Sequence, residues 1–179
     1  MKGPSKRVYL VGFMGSGKTT VGRRLAARLG VPFVDLDQAF ESMTGTTIKE
    51  SFERHGESWF RERESELLRG TLALPEAVIA LGGGTFVPPK NREFVEESGV
   101  SVFLDAPFEL LASRLHGKAA DRPLFRNVAE ARQLYDARLS CYKMANWTVP
   151  VKESDRVDAV VRRIEALVVQ AEGLGSGGR

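Results

Sequence analysis

Gly12-Phe13-Met14-Gly15-Ser16-Gly17-Lys18-Thr19 fits the pattern G-x-x-x-x-G-K-[S/T] at every position. Its surroundings decide how it is read. Upstream, Arg7–Val11 (RVYLV) is a short β-rich run closed by Gly12, and downstream Thr20–Leu29 carries apolar residues at 21, 25, 26 and 29, a helical stripe. A strand that feeds a glycine-rich loop and then a helix is the setting a phosphate-binding loop requires. Glycines let backbone N–H groups curl around phosphate oxygens, and the helix N-terminus adds partial positive charge. In such a loop Lys18 neutralises the β- and γ-phosphates and the Thr19 hydroxyl ligates Mg²⁺. The competing reading, a glycine-rich turn with a stray lysine, leaves that setting without a purpose.

The rest of the chain continues the alternation. Phe33–Leu36 reads as a second short strand, Glu57–Leu72 as a charged amphipathic helix, and Ala77–Leu81 as a buried strand stopped by Gly82-Gly83-Gly84. Val100–Leu104 is another strand, and Pro107 suits the first turn of the helix after it. Val128–Lys143 reads as a helix, Trp147–Val149 as a last strand, and Asp155–Ala171 as a helix with apolar residues at 160, 164, 167 and 168. Such alternation predicts an α/β domain with a mainly parallel sheet covered on both faces. The least regular stretches, Thr44–Gly56 and His116–Asn127, are where ligand-handling loops are expected. The closing GLGSGGR reads as a flexible tail.

Composition narrows the function classes. The chain has 179 residues, of which 42% are hydrophobic and 27% charged, enough for one globular domain and unlike a disordered chain. One cysteine, Cys141, excludes an intrachain disulfide framework, and two histidines, His55 and His116, make a zinc site a poor reading. A net charge of +3 is too mild for a nucleic-acid-coating protein but allows a local anion pocket. No apolar run reaches the ~18 residues of a membrane span, so the expectation is a cytoplasmic protein that binds neither nucleic acid nor membrane. A monomer is the simplest expectation, since no long exposed apolar stripe is evident.

A phosphate-binding loop that handles a metal needs a carboxylate nearby. Asp105 follows the run Val102–Leu104 but is met at once by Ala106-Pro107, so it reads as a strand-end residue. Asp35 and Asp37 follow the second strand, and two positions apart on an extended segment they point the same way. One is then placed to hold the metal or its water and the other to accept a hydrogen bond from a substrate hydroxyl; an Asp before a helix is equally an ordinary N-cap. On residue type alone Arg61 belongs to a solvated, salt-bridged helix face with Glu62, Arg63, Glu64 and Glu66, and Arg138 reads as surface. Gly82-Gly83-Gly84 is either a turn or a place where backbone approaches a ligand closely. Arg122-Pro123 lies in an irregular segment with a glycine hinge at Gly117, as mobile lids have. The residues alone thus reach an ATP-type phosphotransferase with an acceptor site of Asp, Arg and Gly.

Taken together, GFMGSGKTTVGRRLA, VDLD, TGTTIKESFERHGESWFRERES, ALGGGTF, DRPLF and R-x-x-x-Y (Arg138 to Tyr142) stand in the order and spacing of shikimate kinases, over about residues 7–150. The resemblance implies a three-layer α/β fold of the P-loop, nucleoside-monophosphate-kinase-like type, with a five-stranded parallel sheet. It implies one domain over 1–172 with a substrate-binding insert at about 38–74 and a lid at about 116–127, then a flexible tail over 173–179. The implied activity is transfer of the ATP γ-phosphate to the 3-hydroxyl of shikimate, in chorismate and aromatic amino-acid biosynthesis, with Mg²⁺ as cofactor. Carried over residue by residue, Asp37 grips a ring hydroxyl and is the candidate base, with Lys18 and Arg122 the other catalytic candidates. Arg61 and Arg138 clamp the shikimate carboxylate, Gly83 offers backbone to the substrate, and Thr19 binds Mg²⁺ with Asp35 orienting its water shell. Gly15, Ser16, Gly17, Lys18, Thr19, Thr20, Arg114 and Arg122 form the implied ATP site. Two alternatives stand beside this: another small-molecule P-loop kinase, and a regulatory module that kept the fold and lost the chemistry. The second expects losses at Lys18, Asp37, Arg61 or Arg138, and all four are present.

Overall fold

A computed structural model of the protein describes residues 6–115 and 127–175. Strands β1 (Lys6–Val11), β2 (Phe33–Asp35), β3 (Glu76–Ala80), β4 (Val100–Asp105) and β5 (Trp147–Pro150) form one five-stranded sheet in the order β2-β3-β1-β4-β5. Every pairing is parallel. The three middle strands are nearly continuous apolar runs, and Val8–Val11, Ala77–Ala80 and Val102–Leu104 are buried, as strands covered on both faces must be.

The helices are α1 (Lys18–Leu29), α2 (Leu36–Thr44), α3 (Ile48–Gly70), α4 (Pro89–Ser98), α5 (Phe108–Leu115), α6 (Val128–Tyr142) and α7 (Val157–Gly175). Helices α1 and α7 pack on each other, joined by the ion pairs Arg24–Asp158 at 2.8 Å and Arg28–Glu165 at 2.6 Å. Right-handed crossovers put the connections through α3, α4 and the α5–α6 pair on the opposite face. The chain therefore leaves β1 on one side of the sheet and its neighbour β3 on the other. Between the C-terminal ends of two such strands a crevice opens, the usual ligand position in an open parallel sheet.

Three sequence expectations change. The stretch Thr44–Gly56 is mostly helix rather than loop: Thr47 caps α3 by accepting the Glu50 N–H at 3.1 Å, while Glu50 accepts the Thr47 N–H at 2.8 Å. This reciprocal capping box, T-x-x-E, was readable in the sequence. Helix α3 is broken at Gly56, whose φ of 81° and ψ of 171° are open only to glycine. Helix α4 starts on Pro89, favoured at a helix start because its missing N–H has no helical partner there. At the other end α7 continues to Gly175, into the residues expected to be a flexible tail. The expected lid, with Arg122, lies outside the described residues except for Asn127, whose side chain caps α6 by accepting the Glu130 N–H at 2.8 Å. Among the described residues no helix is long and apolar enough to cross a membrane.

Candidate active site

The loop after β1 turns into α1 through Gly17, and no side chain caps that helix. Its first N–H groups are left aimed out of the N-terminus, where an anion completes them. Around them the loop is braced. Lys18 Nζ donates to the Gly12 and Phe13 carbonyl oxygens at 2.7 and 3.0 Å, and Arg114, at the end of α5, donates to the Gly15 carbonyl at 3.0 Å. Ser16 Oγ is the one buried side-chain polar atom without a partner among the described residues. An orphaned hydroxyl inside a glycine loop is what a phosphate oxygen would satisfy.

Thr19 Oγ1 donates to Asp35 Oδ2 at 2.6 Å. The other Asp35 oxygen accepts the N–H groups of Asp37 and Gln38 at 3.1 and 3.3 Å, so Asp35 is also the N-cap of α2. The Oδ2 oxygen of this aspartate stands on the Thr19 hydroxyl, and its N-cap reading is met. The geometry assumed for its neighbour is not: only Asp35 is extended, and Asp37 stands in the first turn of α2. A helical turn rather than a strand's two-residue period brings both carboxylates to the cleft.

Across the cleft the chain leaving β3 runs through Gly82-Gly83-Gly84, and side chains crowd the first and last of these glycines. A methyl group on Gly82 would lie 2.5 Å from Glu64 Oε1 and 2.8 Å from Asp37 Oδ1, and one on Gly84 would lie 2.5 Å from Arg61 Nη1. On Gly83 it would make ordinary contact with Arg138 Nη1 at 3.5 Å. The glycines therefore let one carboxylate pair and two guanidinium groups reach the same stretch of backbone.

Arg61 is salt-bridged, as its helix suggested, but not to solvent-facing partners alone. It donates to Glu64 at 2.7 Å and contacts Glu57 at 3.3 Å, and the Glu64 side chain is only 5% exposed. Burial works against the Arg61 charge, but Glu64 and then Glu57 more than offset it, holding the guanidinium above its usual range. Glu64 also accepts the Thr85 hydroxyl at 2.6 Å, and Asn91 Nδ2 donates to the Thr85 carbonyl at 2.9 Å. Arg138 corrects the surface reading outright, being 8% exposed on a buried stripe of α6 with Ala131, Tyr135 and Tyr142. That spacing of four, three and four was visible in the sequence. No carboxylate pairs with Arg138 among the described residues. A guanidinium without a counter-charge at such depth is costly unless an anion joins it.

A cleft of about 470 Å³ gathers Gly15, Ser16, Gly17, Lys18, Thr19, Thr20, Asp35, Asp37, Gly83 and Arg114 on one wall or another. Arg138 lies against Gly83, a lining residue, and Arg61 against the adjacent Gly84. Arg122 lies outside the described residues. Glu64 and Thr85 were not singled out from the sequence, although Glu64 is three residues after Arg61 and so shares its helix face. As a cation site the cleft offers hard oxygens, Thr19 Oγ1 and Asp35, and no cluster of three or more His, Cys, Asp or Glu exists among the described residues. Two oxygens beside a phosphate loop fit a hard divalent ion that arrives largely hydrated and phosphate-bound.

The comparisons with known proteins agree on one family. A family model described as shikimate kinase matches residues 14–168. The chain is 43% identical over 164 residues to the shikimate kinase of Ruegeria pomeroyi, covering 90% of this chain and 84% of that protein. It is 41% identical over 179 residues to that of Salinibacter ruber, covering 93% and 86%. Among solved structures, shikimate kinase from Acinetobacter baumannii in complex with shikimate superposes with a TM-score of 0.87 at 36% identity, over 93% of this chain and 94% of that one.

Proposed function

Because the chain belongs to the shikimate kinase family, we propose that it transfers the γ-phosphoryl group of ATP to the 3-hydroxyl of shikimate. The attacking hydroxyl oxygen forms the new P–O bond, the bond to the β-phosphate oxygen breaks, and the products are shikimate 3-phosphate, ADP and a proton. The observation that carries this reading is the buried Arg138, which has no carboxylate partner among the described residues and lies against Gly83, a residue of the cleft that holds the phosphate loop. An acceptor carrying a carboxylate supplies the missing counter-charge, and a planar guanidinium recognises it in two-pronged fashion.

In this reading the α1 N-terminus, Ser16 and Lys18 hold the polyphosphate, and Arg114 closes the nucleotide side. Arg61 joins Arg138 on the acceptor carboxylate, giving up its exposed Glu57 contact while Glu64 keeps it in place. Gly83 offers backbone to the ring, and Asp37 accepts a hydrogen bond from a ring hydroxyl. Transfer through a loose transition state asks chiefly for alignment and charge stabilisation, so Asp37 need not be a strong base. Arg122, by family resemblance, reaches both phosphate and substrate. Mg²⁺, held by Thr19 with Asp35 ordering its waters, would neutralise charge on the phosphates. We take the protein to act as a cytoplasmic monomer: its exposed large apolar side chains are scattered along the chain, Met43 on α2, Leu72 just after α3, Met144 between α6 and β5, and Val169 on α7.

A coupled ADP-release assay run in parallel with shikimate, quinate, gluconate and AMP tests the proposal. Turnover is expected with shikimate, lost on chelation of divalent ions and restored by Mg²⁺. Turnover of gluconate or AMP with none of shikimate would overturn it.

A further inference from the structure

Tyr142 stands one helical turn after Arg138 on the buried stripe of α6 and is 1% exposed. Its hydroxyl donates to the Gly83 carbonyl oxygen, and the Arg138 guanidinium lies against the same glycine, where its charge favours the ionised phenol. A phenol has one proton to give and lone pairs to receive with, so with its proton on Gly83 the oxygen still presents lone pairs to the neighbouring guanidinium. The ring is anchored on the far side by Phe103, a 1% exposed residue of β4, with centroids 5.5 Å apart. Tyr142 is thereby fixed to the most buried part of the sheet while its polar tip faces the acceptor end of the cleft.

We propose that Tyr142 is a positioning residue: its hydroxyl sets the Arg138 guanidinium and the Gly83 peptide in one fixed arrangement, so that the acceptor meets a preassembled anion site. The proposal rests on reading this cleft as the shikimate site. Burial pushes the phenol up to about 12 against the opposing pull of Arg138 and Arg61, so the hydroxyl keeps its proton, and its role as donor, at neutral pH. Without it the Gly83 carbonyl loses its donor, and Arg138 loses a neighbouring lone pair that favours one rotamer of a long side chain.

The test is Tyr142→Phe, which keeps the ring and removes the hydroxyl. The shikimate KM is expected to rise about tenfold while the ATP KM stays within about twofold of wild type. The penalty should be smaller for a carboxamide analogue of shikimate, which gives Arg138 no charge to orient against. A shikimate KM within about twofold of wild type, in a variant with an intact melting curve, overturns the proposal. An equal rise in both KM values also overturns it, since general loosening would do that. Should Tyr142→Phe not fold, Tyr142→Met removes the hydroxyl with an adaptable apolar chain and is read in the same way. Failure of the wild-type protein to turn over shikimate would instead sink the reading on which the proposal rests.

Discussion

Glu64 holds Arg61 at 2.7 Å from a position where its own side chain is only 5% exposed. The second Glu64 oxygen takes the Thr85 hydroxyl at 2.6 Å, so one carboxylate ties α3 to the loop after β3. Glu64→Gln keeps the shape and removes the charge, leaving Arg61 the exposed Glu57 as its remaining carboxylate. Stability should fall by roughly 2 kcal/mol, as for other half-broken buried pairs, and the shikimate KM should rise. Urea unfolding and steady-state kinetics check the two halves, and an unchanged midpoint with an unchanged KM contradicts both.

The glycine loop supplies a graded comparison. Gly84→Ala puts a methyl group 2.5 Å from Arg61 Nη1, whereas Gly83→Ala meets its nearest atom, Arg138 Nη1, at 3.5 Å. The displaced group at position 84 is the end of a flexible side chain, so Gly84→Ala should cost less than about 1 kcal/mol in stability. It should nonetheless raise the shikimate KM about tenfold by moving the guanidinium, while Gly83→Ala stays near wild type. Equal KM values for the two variants would refute this order.

Lys18→Ala and Asp37→Asn act at opposite ends of the reacting bond. Removing Lys18 takes a positive charge from the phosphates, and kcat should fall by about 100-fold or more. Asp37→Asn should lower kcat by about 100-fold if Asp37 aligns and deprotonates the hydroxyl. Circular dichroism should report the fold intact in both. Wild-type turnover of shikimate by Asp37→Asn would remove that residue from the mechanism.

Alkaline pH offers a check that needs no substrate. The Tyr142 phenol titrates near 10 in the unfolded chain and is pushed up to about 12 in the fold by burial. Between those values the unfolded state has released a proton that the native state retains, so stability is full below about pH 10 and declines as pH rises toward about 12. Tyr135 is raised too, first by burial and then by Asp105, and adds in the same direction. Melting curves from pH 9 to 11 should show the fall, and Tyr142→Phe should flatten it. An equal slope in that variant would contradict the assignment.

The phosphate loop was legible because its types and its setting are both local: strand, glycines, lysine and helix are consecutive in the chain. A mainly parallel sheet followed from period and punctuation in the same way, and the family resemblance implied its five strands. Arg138 and Glu64 were harder because their value is depth. Charged residues default to surface, and only the stripe Ala131, Tyr135, Arg138, Tyr142 on one side of α6, or a view of Thr85 on another element, reveals that they turn inward. Asp37 was placed at the cleft for the wrong geometric reason, since a strand's two-residue period was assumed where Asp35 starts a helix. The helical stretch after Thr47 was missed although its capping box is written in four residues.

The order of the strands constrains how the protein can be made. Strand β1 leads directly into the phosphate loop, yet its two neighbours are β3 and β4, which end at Ala80 and Asp105. A chain emerging from the ribosome must therefore carry an apolar strand, unpaired, for some 70 to 90 residues before both edges are met. Helix α1 waits longer still, until Asp158 and Glu165 arrive to join Arg24 and Arg28. The nucleotide half of the cleft thus precedes in the chain the strands and helix that complete it, and residues 6–11 stay without strand partners until β3 and β4 have emerged.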